Sequence, residues 1–237
     1  MQIHLDTIDS TNLYAKKHAS EFPRDQITCI TAEEQTAGRG RQQRRWASPR
    51  GVNLYITFFF HLPVNTRDIP CLAHLISLSL AQVLSELSPK IKWPNDLLLN
   101  GKKFCGILCE TTFSPQEIEI ILGIGIDVNM PAELLAEIDA PATSLLVETG
   151  RSWNRHDLLK KLQTQFTQDL EKFKTHGFAP FHAKINQLLA YRGETVRIID
   201  GEKEWVGICD SIGEDGRLAL LMPNGEKRFF YSGNLRP

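Results

Sequence analysis

The residues with the clearest capacity for chemistry form an arginine-rich loop early in the chain. Arg39, Arg41, Arg44 and Arg45 fall within seven residues, and Trp46 follows at once. Guanidinium groups bind phosphate and carboxylate through paired hydrogen bonds, and the two glycines of the loop let backbone N–H groups come close to an anion. An indole beside such a loop could stack on a purine. A solvated basic loop is the alternative, because charge runs usually lie on the surface.

A second polar group lies near the middle of the chain. Residues 92–96 read Lys-Trp-Pro-Asn-Asp and follow a short predicted strand. Pro94 cannot donate to a sheet, so strand pairing should stop there, although an ordinary turn has the same composition. Lys103 follows Asn100-Gly101, a pair that favours a type I′ hairpin turn. Without further context, Lys103 near Gly106 would be a solvated hairpin lysine.

The usual nucleotide-binding and hydrolytic motifs are absent. Gly-Ile-Gly at 123–125 ends a predicted strand, but the dinucleotide fingerprint needs a third glycine and a following helix. No phosphate-binding P-loop occurs either, so side chains would have to hold the phosphates of any bound ATP. The histidines form no metal-binding set, and Ser10 lies in no serine hydrolase motif. The sequence therefore predicts no resident metal site.

The elements that would position these groups are helices and strands in irregular order, which indicates an α+β fold. Apolar patterning and turn residues predict these elements: helices at about 11–19, 70–87 and 154–174, and strands at about 27–32, 52–60, 97–99, 104–108 and 117–126. Small polar residues at 10–12 should cap the first helix. Residues 34–46 should form a loop.

The pattern of predicted elements changes after residue 189, where short strands and turns replace helices and longer strands. Short strand candidates at 196–198, 205–208, 218–221 and 228–230 are separated by Asp-Gly and Asn-Gly pairs. Short strands at regular spacing are typical of a small β-barrel. We therefore expect two domains, residues 1–188 and residues 189–237.

Composition narrows the class of protein further. The chain has 237 residues, 42% of them hydrophobic, which is enough to bury a core. Its net charge of −1 argues against general affinity for nucleic acid or for a membrane surface. The chain starts without a secretory signal. The five cysteines are scattered, which favours reduced thiols and a cytoplasmic protein.

Taken together and in this order, the motifs resemble the signature of the biotin–protein ligases. They are Ser10-Thr11-Asn12, Gly38 to Trp46, Lys92 to Asp96, Lys103 with Gly106, and Gly123 to Ile126. The resemblance covers essentially the whole chain. It implies an α+β catalytic domain with a mixed sheet, followed by a small SH3-like β-barrel. It also implies a chain that begins directly at the catalytic domain, without the DNA-binding helix-turn-helix of repressor-type members.

The function that this resemblance implies is ATP-dependent protein biotinylation. Such an enzyme uses ATP and Mg²⁺ to convert biotin to biotinyl-5′-AMP, and it passes biotin to a lysine of a biotin carboxyl carrier protein or domain. We expect no repressor function and neither a nucleic acid nor a membrane as partner. A homodimer is compatible with the family.

The resemblance also assigns site residues. Lys103, Arg39 and Arg41 would act in catalysis, with Lys103 at the biotin carboxylate and the phosphoryl group. Biotin would be bound by Ser10, Thr11, Asn12, Gln35, Arg39, Gly40, Arg41, Lys103 and Gly106. ATP or the adenylate would be bound by Arg44, Arg45, Trp46, Asn53, Lys92, Asn95, Asp96, Gly125, Ile126 and Asp127. Family members often have Asn where Asp127 stands, so the contact of Asp127 with the ribose is open.

Two alternative functions remain. A lipoate–protein ligase shares the fold and the adenylation chemistry, although its loop is richer in glycine. A non-catalytic module that binds nucleic acid through the arginine loop belongs to a different class of protein. It would bind in a salt-sensitive way and would have no need of Lys103 or of the motif at 92–96.

Overall fold

The computed structural model describes all 237 residues, which form two compact units. Unit 1 comprises residues 1–66 and 101–161, and unit 2 comprises residues 67–100 and 162–237. Each unit therefore combines two segments that are separate in the chain. The boundary predicted near residue 188 stays a prediction. The last helix ends at Leu188, and the next strand begins at Thr195.

The strands, in chain order, are β1 (Gln2–Ile8), β2 (Thr28–Gln35), β3 (Leu54–Pro63), β4 (Lys90–Lys92), β5 (Asp96–Leu99), β6 (Lys102–Phe113), β7 (Glu117–Ile126), β8 (Thr195–Asp200), β9 (Lys203–Ile212), β10 (Leu218–Leu221), β11 (Lys227–Phe230) and β12 (Asn234–Arg236). The α-helices are α1 (Thr11–Lys17), α2 (Leu72–Val83), α3 (Ala132–Leu135), α4 (Leu145–Thr149), α5 (Arg155–His176) and α6 (Ala179–Leu188).

The strands of unit 1 confirm the predicted mixed sheet. They lie side by side in the order β1-β2-β3-β7-β6. The β1–β2 pair is parallel, and the other pairs are antiparallel. The central strands β3 and β7 are apolar along almost their whole length and are buried, as expected for strands covered on both faces. The edge strand β1 escaped prediction, because its apolar residues are few and only half-buried.

Helix α1 packs on this sheet and brings the polar start of the helix against it. Ala15 and Phe22 form a buried cluster with Ile30, Phe59 and Ile121. The predicted helix ends two residues early, at Lys17. The predicted side-chain cap is wrong: the hydroxyl of Ser10, at the N-cap, accepts no hydrogen bond from the helix. The N–H of Thr11 donates to the distant Oε1 of Gln35 instead (2.9 Å), which sequence spacing could not indicate.

Unit 2 contains α2, α6 and residues 162–176 of α5. Five apolar residues of α5 are buried at helical spacing, namely Leu158, Leu162, Phe166, Leu170 and Phe173, which confirms the predicted amphipathic helix. Within the unit, the Ser79 hydroxyl of α2 donates to the Asp169 carboxylate of α5 (2.7 Å). None of the helices is long and apolar enough to cross a membrane.

The C-terminal strands form a second, antiparallel sheet with the order β11-β10-β9-β8-β12. Its strands fall where short strands were predicted, with β12 in addition. One face buries apolar side chains, among them Val196, Ile198, Leu218 and Leu235. This arrangement is consistent with the predicted SH3-like fold. All five cysteines of the chain are free thiols.

Candidate ligand-binding site

The arginine-rich loop is closed on itself by backbone hydrogen bonds. The N–H of Trp46 donates to the Gly38 carbonyl (2.9 Å), and the N–H of Gly40 donates to the Arg44 carbonyl (2.7 Å). At the tip, Gln42 and Gln43 have φ values of 54° and 60°, a left-handed conformation that non-glycine residues seldom adopt. The side chains of Arg39, Arg44 and Arg45 are exposed. The structure therefore presents these guanidinium groups to solvent on a compact loop.

The base of this loop is tied to the start of α1 through Gln35. The Gln35 Oε1 accepts hydrogen bonds from both the N–H (2.9 Å) and the hydroxyl (3.1 Å) of Thr11. Its Nε2 donates to the Ser48 hydroxyl (3.0 Å), which in turn donates to the Trp46 carbonyl (3.1 Å). A Cβ on Gly38 would lie only 2.6 Å from that hydroxyl. Ser48 was missed by the sequence analysis, since a single serine carries no signal of this contact.

The indole of Trp46 lies against backbone that carries no side chains, a strip formed by Gly106 and Gly125. Gly106 of β6 and Gly125 of β7 are paired on these two neighbouring strands. A Cβ on Gly106 would come within 2.9 Å of the Trp46 ring, and one on Gly125 would overlap it. The indole Nε1 is buried and has no hydrogen-bond partner. Gly106 and Gly125 therefore leave room for a flat ring against the sheet.

Lys103 lies beside this strip. Its Nζ is 5.2 Å from the centroid of the Trp46 ring and would lie 3.1 Å from a Cβ on Gly106. Its backbone is fixed, because its N–H donates to the Pro141 carbonyl (3.0 Å) and its carbonyl accepts from the N–H of Thr143 (2.9 Å). Lys103 is therefore a half-buried cation held next to the glycine strip, and not a solvated hairpin lysine.

Asp127 and Asn53, both predicted to contact ATP, form a buried pair. Asn53 Nδ2 donates to Asp127 Oδ1 (2.9 Å), and Asn53 Oδ1 accepts from the N–H of Val128 (2.9 Å). Burial raises the pKa of the Asp127 carboxyl to about 8, although the nearby Lys103 charge lowers it. The carboxyl is therefore held largely neutral at moderate pH. The neighbouring Ile126 is buried at the end of β7.

Asn12, predicted to bind biotin, has its side-chain amide bonded within the chain. Its Nδ2 donates to Glu110 Oε2 (2.9 Å), and its Oδ1 accepts from the Thr57 hydroxyl (2.7 Å). A Cβ on Gly123 would overlap Asn12. These contacts anchor the start of α1 to the sheet. Ser10 and Thr11 are buried at the same helix start.

The Lys-Trp-Pro-Asn-Asp motif lies in unit 2. Lys92 pairs with Asp96 across β4 and β5, so Trp93, Pro94 and Asn95 form the connection between the two strands. The predicted interruption of pairing at Pro94 is confirmed. The two residues after β5 have positive φ, 47° at Asn100 and 78° at Gly101, as the predicted type I′ turn requires.

The structure thus brings most of the predicted site residues together in unit 1. They are Ser10, Thr11, Asn12, Gln35, Arg39, Gly40, Arg41, Arg44, Arg45, Trp46, Asn53, Lys103, Gly106, Gly125, Ile126 and Asp127. Lys92, Asn95 and Asp96 belong to unit 2. No group of three or more His, Cys, Asp or Glu side chains is placed to hold a metal ion.

Comparison with known proteins gives consistent matches. A family model described as "Biotin/lipoate A/B protein ligase family" matches residues 5–127. A biotin–[acetyl-CoA-carboxylase] ligase of Paracoccus denitrificans is 33% identical over 228 residues, 92% of this chain and 93% of that protein. The bifunctional ligase/repressor BirA of Escherichia coli is 34% identical over 220 residues, 91% of this chain and 68% of that protein. The structure of a biotin protein ligase from Aquifex aeolicus in complex with biotin and ATP has a TM-score of 0.82, with 32% identity, and the match covers 99% of this chain and 97% of that one.

Proposed function

The chain belongs to the biotin/lipoate A/B protein ligase family, and from this premise we propose that it is a biotin–protein ligase. It activates biotin with ATP and transfers it to a lysine of a biotin carboxyl carrier protein or domain. The observation that carries the proposal is the half-buried Lys103 ammonium beside the Gly106–Gly125 strip. This arrangement offers a positive charge next to a flat surface. A reaction between two anions needs such a charge to offset their repulsion.

The chemistry of the first step is adenylation. The biotin carboxylate attacks the α-phosphorus of ATP, pyrophosphate leaves, and a mixed anhydride with AMP forms. Both reactants are anionic, so cations that are already in place stabilise the charge that develops. Lys103, Arg39 and Arg41 fill this role. Holding the reactants in register can remove roughly 7–11 kcal/mol of a barrier in favourable cases.

The second step needs no covalent enzyme nucleophile. The amine of the acceptor lysine attacks the acyl carbon of the adenylate, AMP leaves, and an amide bond forms. Because the adenylate also reacts with water, it must be shielded until the acceptor arrives. The loop of residues 38–46 would provide this shield by ordering over the ligand.

Biotin recognition is assigned to the start of α1 and to the base of the loop. A bicyclic ring needs a mostly apolar slot with a few polar groups for its ureido end. Ser10, Thr11 and Gln35 supply such groups, and their positions are fixed by the hydrogen bonds of Gln35. Gly40 and Gly106 allow close approach of backbone. Asn12 supports this region through its bonds to the sheet.

ATP recognition is assigned to Trp46, Asn53 and Asp127, with the adenine beside the Trp46 indole. The exposed guanidinium groups of the loop would meet the phosphates. Asn53 and Asp127 form one buried unit at the end of β7, and a neutral Asp127 can act as the hydrogen-bond donor that the amide of an asparagine would be.

The motif in unit 2 is proposed to serve ATP, as the sequence predicts. Lys92, Asn95 and Asp96 carry a cation, an amide and a carboxylate on one short hairpin. Mg²⁺ usually binds through one or two carboxylates together with substrate phosphates, and the oxygens of Asn95 and Asp96 fit such a donor set. We propose that Mg²⁺ enters with ATP and supplies charge neutralisation at the phosphates.

The acceptor is proposed to be a carrier domain of a biotin-dependent carboxylase, since the Paracoccus relative is named for acetyl-CoA carboxylase. We also propose that residues 189–237 form a domain of their own, because they make up the whole of the second sheet. The homodimer, the cytoplasmic location and the absence of a nucleic acid partner stay predictions from the sequence.

The test is intact mass spectrometry of a biotin carboxyl carrier domain incubated with the protein, Mg²⁺ and ATP, with biotin or lipoate in parallel. We expect a mass increase of one biotin that requires ATP and is lost with Lys103→Ala. Lys102→Ala is the matched control, since Lys102 is the exposed neighbour on the same strand. Transfer of lipoate alone would show that the substrate is lipoate and not biotin. Transfer of neither compound by a folded protein would overturn the proposal.

A further inference from the structure

Trp93 is the one large side chain in the connection between β4 and β5, and none of the proposed substrate contacts uses it. It is only 1% exposed, although it is flanked by the polar residues of the motif. Its indole N–H donates to the carbonyl of Gly216 (3.1 Å), which lies between β9 and β10. This hydrogen bond links the hairpin that carries the motif to the β9–β10 connection of the C-terminal sheet.

The acceptor of this bond is held rigidly. The Gly216 carbonyl lies 3.1 Å from Nε2 of His74, and because a carbonyl can only accept, Nε2 must carry the proton. Burial lowers the pKa of His74 to about 4, so the ring is neutral at physiological pH. Gly216 has a φ of 81°, and a Cβ there would come within 3.0 Å of the Cys71 sulfur. The oxygen that receives Trp93 therefore has a fixed position.

The rest of the hairpin is fixed to the same part of the chain. The N–H of Ala190 donates to the Ile91 carbonyl (2.8 Å), two residues before Trp93. On the far side, a Cβ on Gly233 would lie 3.8 Å from the Trp93 ring and 2.6 Å from the Ile198 side chain. The backbone around Gly233 therefore packs closely on Ile198, beside the Trp93 ring. Pro94 cannot add a backbone N–H bond, whereas the Trp93 side chain gives the connection a directional bond.

We propose that Trp93 is a positioning residue for ATP: through its bond to Gly216, the C-terminal sheet fixes the placement of Asn95 and Asp96. This role rests on the proposed function, in which those two residues serve the nucleotide. It also gives the C-terminal sheet a part in the first step of the reaction.

The test is Trp93→Phe, which keeps an aromatic ring but removes the N–H. The Gly216 carbonyl keeps its bond from His74, so no buried acceptor is left empty. We expect the KM for ATP in adenylate formation to rise about three- to tenfold, as the loss of one net hydrogen bond allows, with the KM for biotin unchanged. Thermal unfolding of each variant shows that the assay is run on folded protein.

The matched control is Trp153→Phe. The Trp153 indole N–H donates to the Thr149 hydroxyl over a similar distance (3.0 Å), but in unit 1. This variant loses an equivalent bond and should keep the wild-type KM for ATP. If Trp93→Phe does not fold at the assay temperature, His74→Leu removes the other donor to Gly216, and the same selective rise is expected.

An unchanged KM for ATP in a folded Trp93→Phe, or an equal rise in both KM values, would overturn the positioning role and leave Trp93 as a core residue. Both results presuppose that the wild type makes adenylate. A wild type that binds neither biotin nor ATP and makes no adenylate would overturn the proposed function itself, and this role with it.

Discussion

The ammonium group of Lys103 lies 5.2 Å from the centroid of the Trp46 ring, over its face. A cation in this position gains about 0.5–2 kcal/mol from the ring. The same ring covers the strip of Gly106 and Gly125, and its Nε1 has no hydrogen-bond partner. The indole N–H therefore has a hydrogen-bonding capacity that the chain itself leaves unused, and the Lys103 charge beside it favours a ligand that is anionic.

The first prediction concerns Lys103→Ala. Removing the positive charge should lower the rate of adenylate formation by about 100-fold or more, the usual effect of losing a group that stabilises developing charge. The fold should persist, because the contacts of Lys103 with Pro141 and Thr143 are made by its backbone. Pyrophosphate release with biotin and ATP measures the rate, and thermal unfolding checks the fold. A rate close to wild type would remove Lys103 from the reaction.

The second prediction concerns Gly125→Ala. The new methyl group would overlap the Trp46 ring, so the ring or the strand must move, at a cost of about 1–3 kcal/mol in the free energy of unfolding. Trp46→Ala should relieve the conflict, so that Gly125→Ala costs much less in that background. Urea unfolding of the four proteins measures this coupling. Equal costs in both backgrounds would show that the ring does not lie on the strip in solution.

The third prediction concerns the loop of residues 38–46. Trypsin should cut after the exposed Arg44 and Arg45 in the free protein, and biotin with ATP should slow this cleavage by about tenfold or more if the loop orders over the ligand. Cleavage after Lys203, the exposed first residue of β9, serves as the internal control. Equal rates at the loop with and without ligands would rule out the shielding role.

The fourth prediction separates two roles of Asn12. Asn12→Ala removes its bonds to Glu110 and Thr57 and should lower the free energy of unfolding by about 2–4 kcal/mol, because buried partners lose their bonds. Thr57→Val removes one donor and should cost less. A stable Asn12→Ala that has lost biotin affinity would instead mean that Asn12 contacts the ligand directly.

Much of the fold could be predicted from the sequence, because it depends on local patterns. The apolar run of β3, the helical spacing of apolar residues along α5 and the Asn100-Gly101 turn each specify an element by themselves. The edge strand β1 could not be predicted in this way, since its pairing with β2 and not its own composition makes it a strand.

The contacts within the site join residues that are far apart in the chain, and they could therefore not be predicted from the sequence. Asn53 and Asp127 meet just beyond the paired ends of β3 and β7, and Trp46 covers a glycine pair that is formed only when β6 and β7 align. The motifs predict which residues form the site, but they could not show that Asn12 faces the sheet or that Trp93 faces Gly216. Such side-chain partners follow from packing and leave no pattern in one sequence.

The last prediction is a pH dependence of stability that originates in Asp127. Its pKa is raised to about 8, so between pH values of about 4 and 8 the folded protein holds a proton that the unfolded chain releases. The free energy of unfolding should therefore fall as pH rises through this window and level off above it, with a slope of at most about 1.4 kcal/mol per pH unit from this group.

Asp127→Asn should abolish this contribution, since an amide does not ionise and can still accept the bond from Asn53. Urea unfolding of wild type and variant at several pH values between about 5 and 9 gives the difference in free energy, in which the other titrating groups cancel. We expect the variant to gain stability relative to wild type as pH rises towards 8. Parallel curves would mean that Asp127 is already ionised in the folded protein, and that the Lys103 charge rather than burial sets its state.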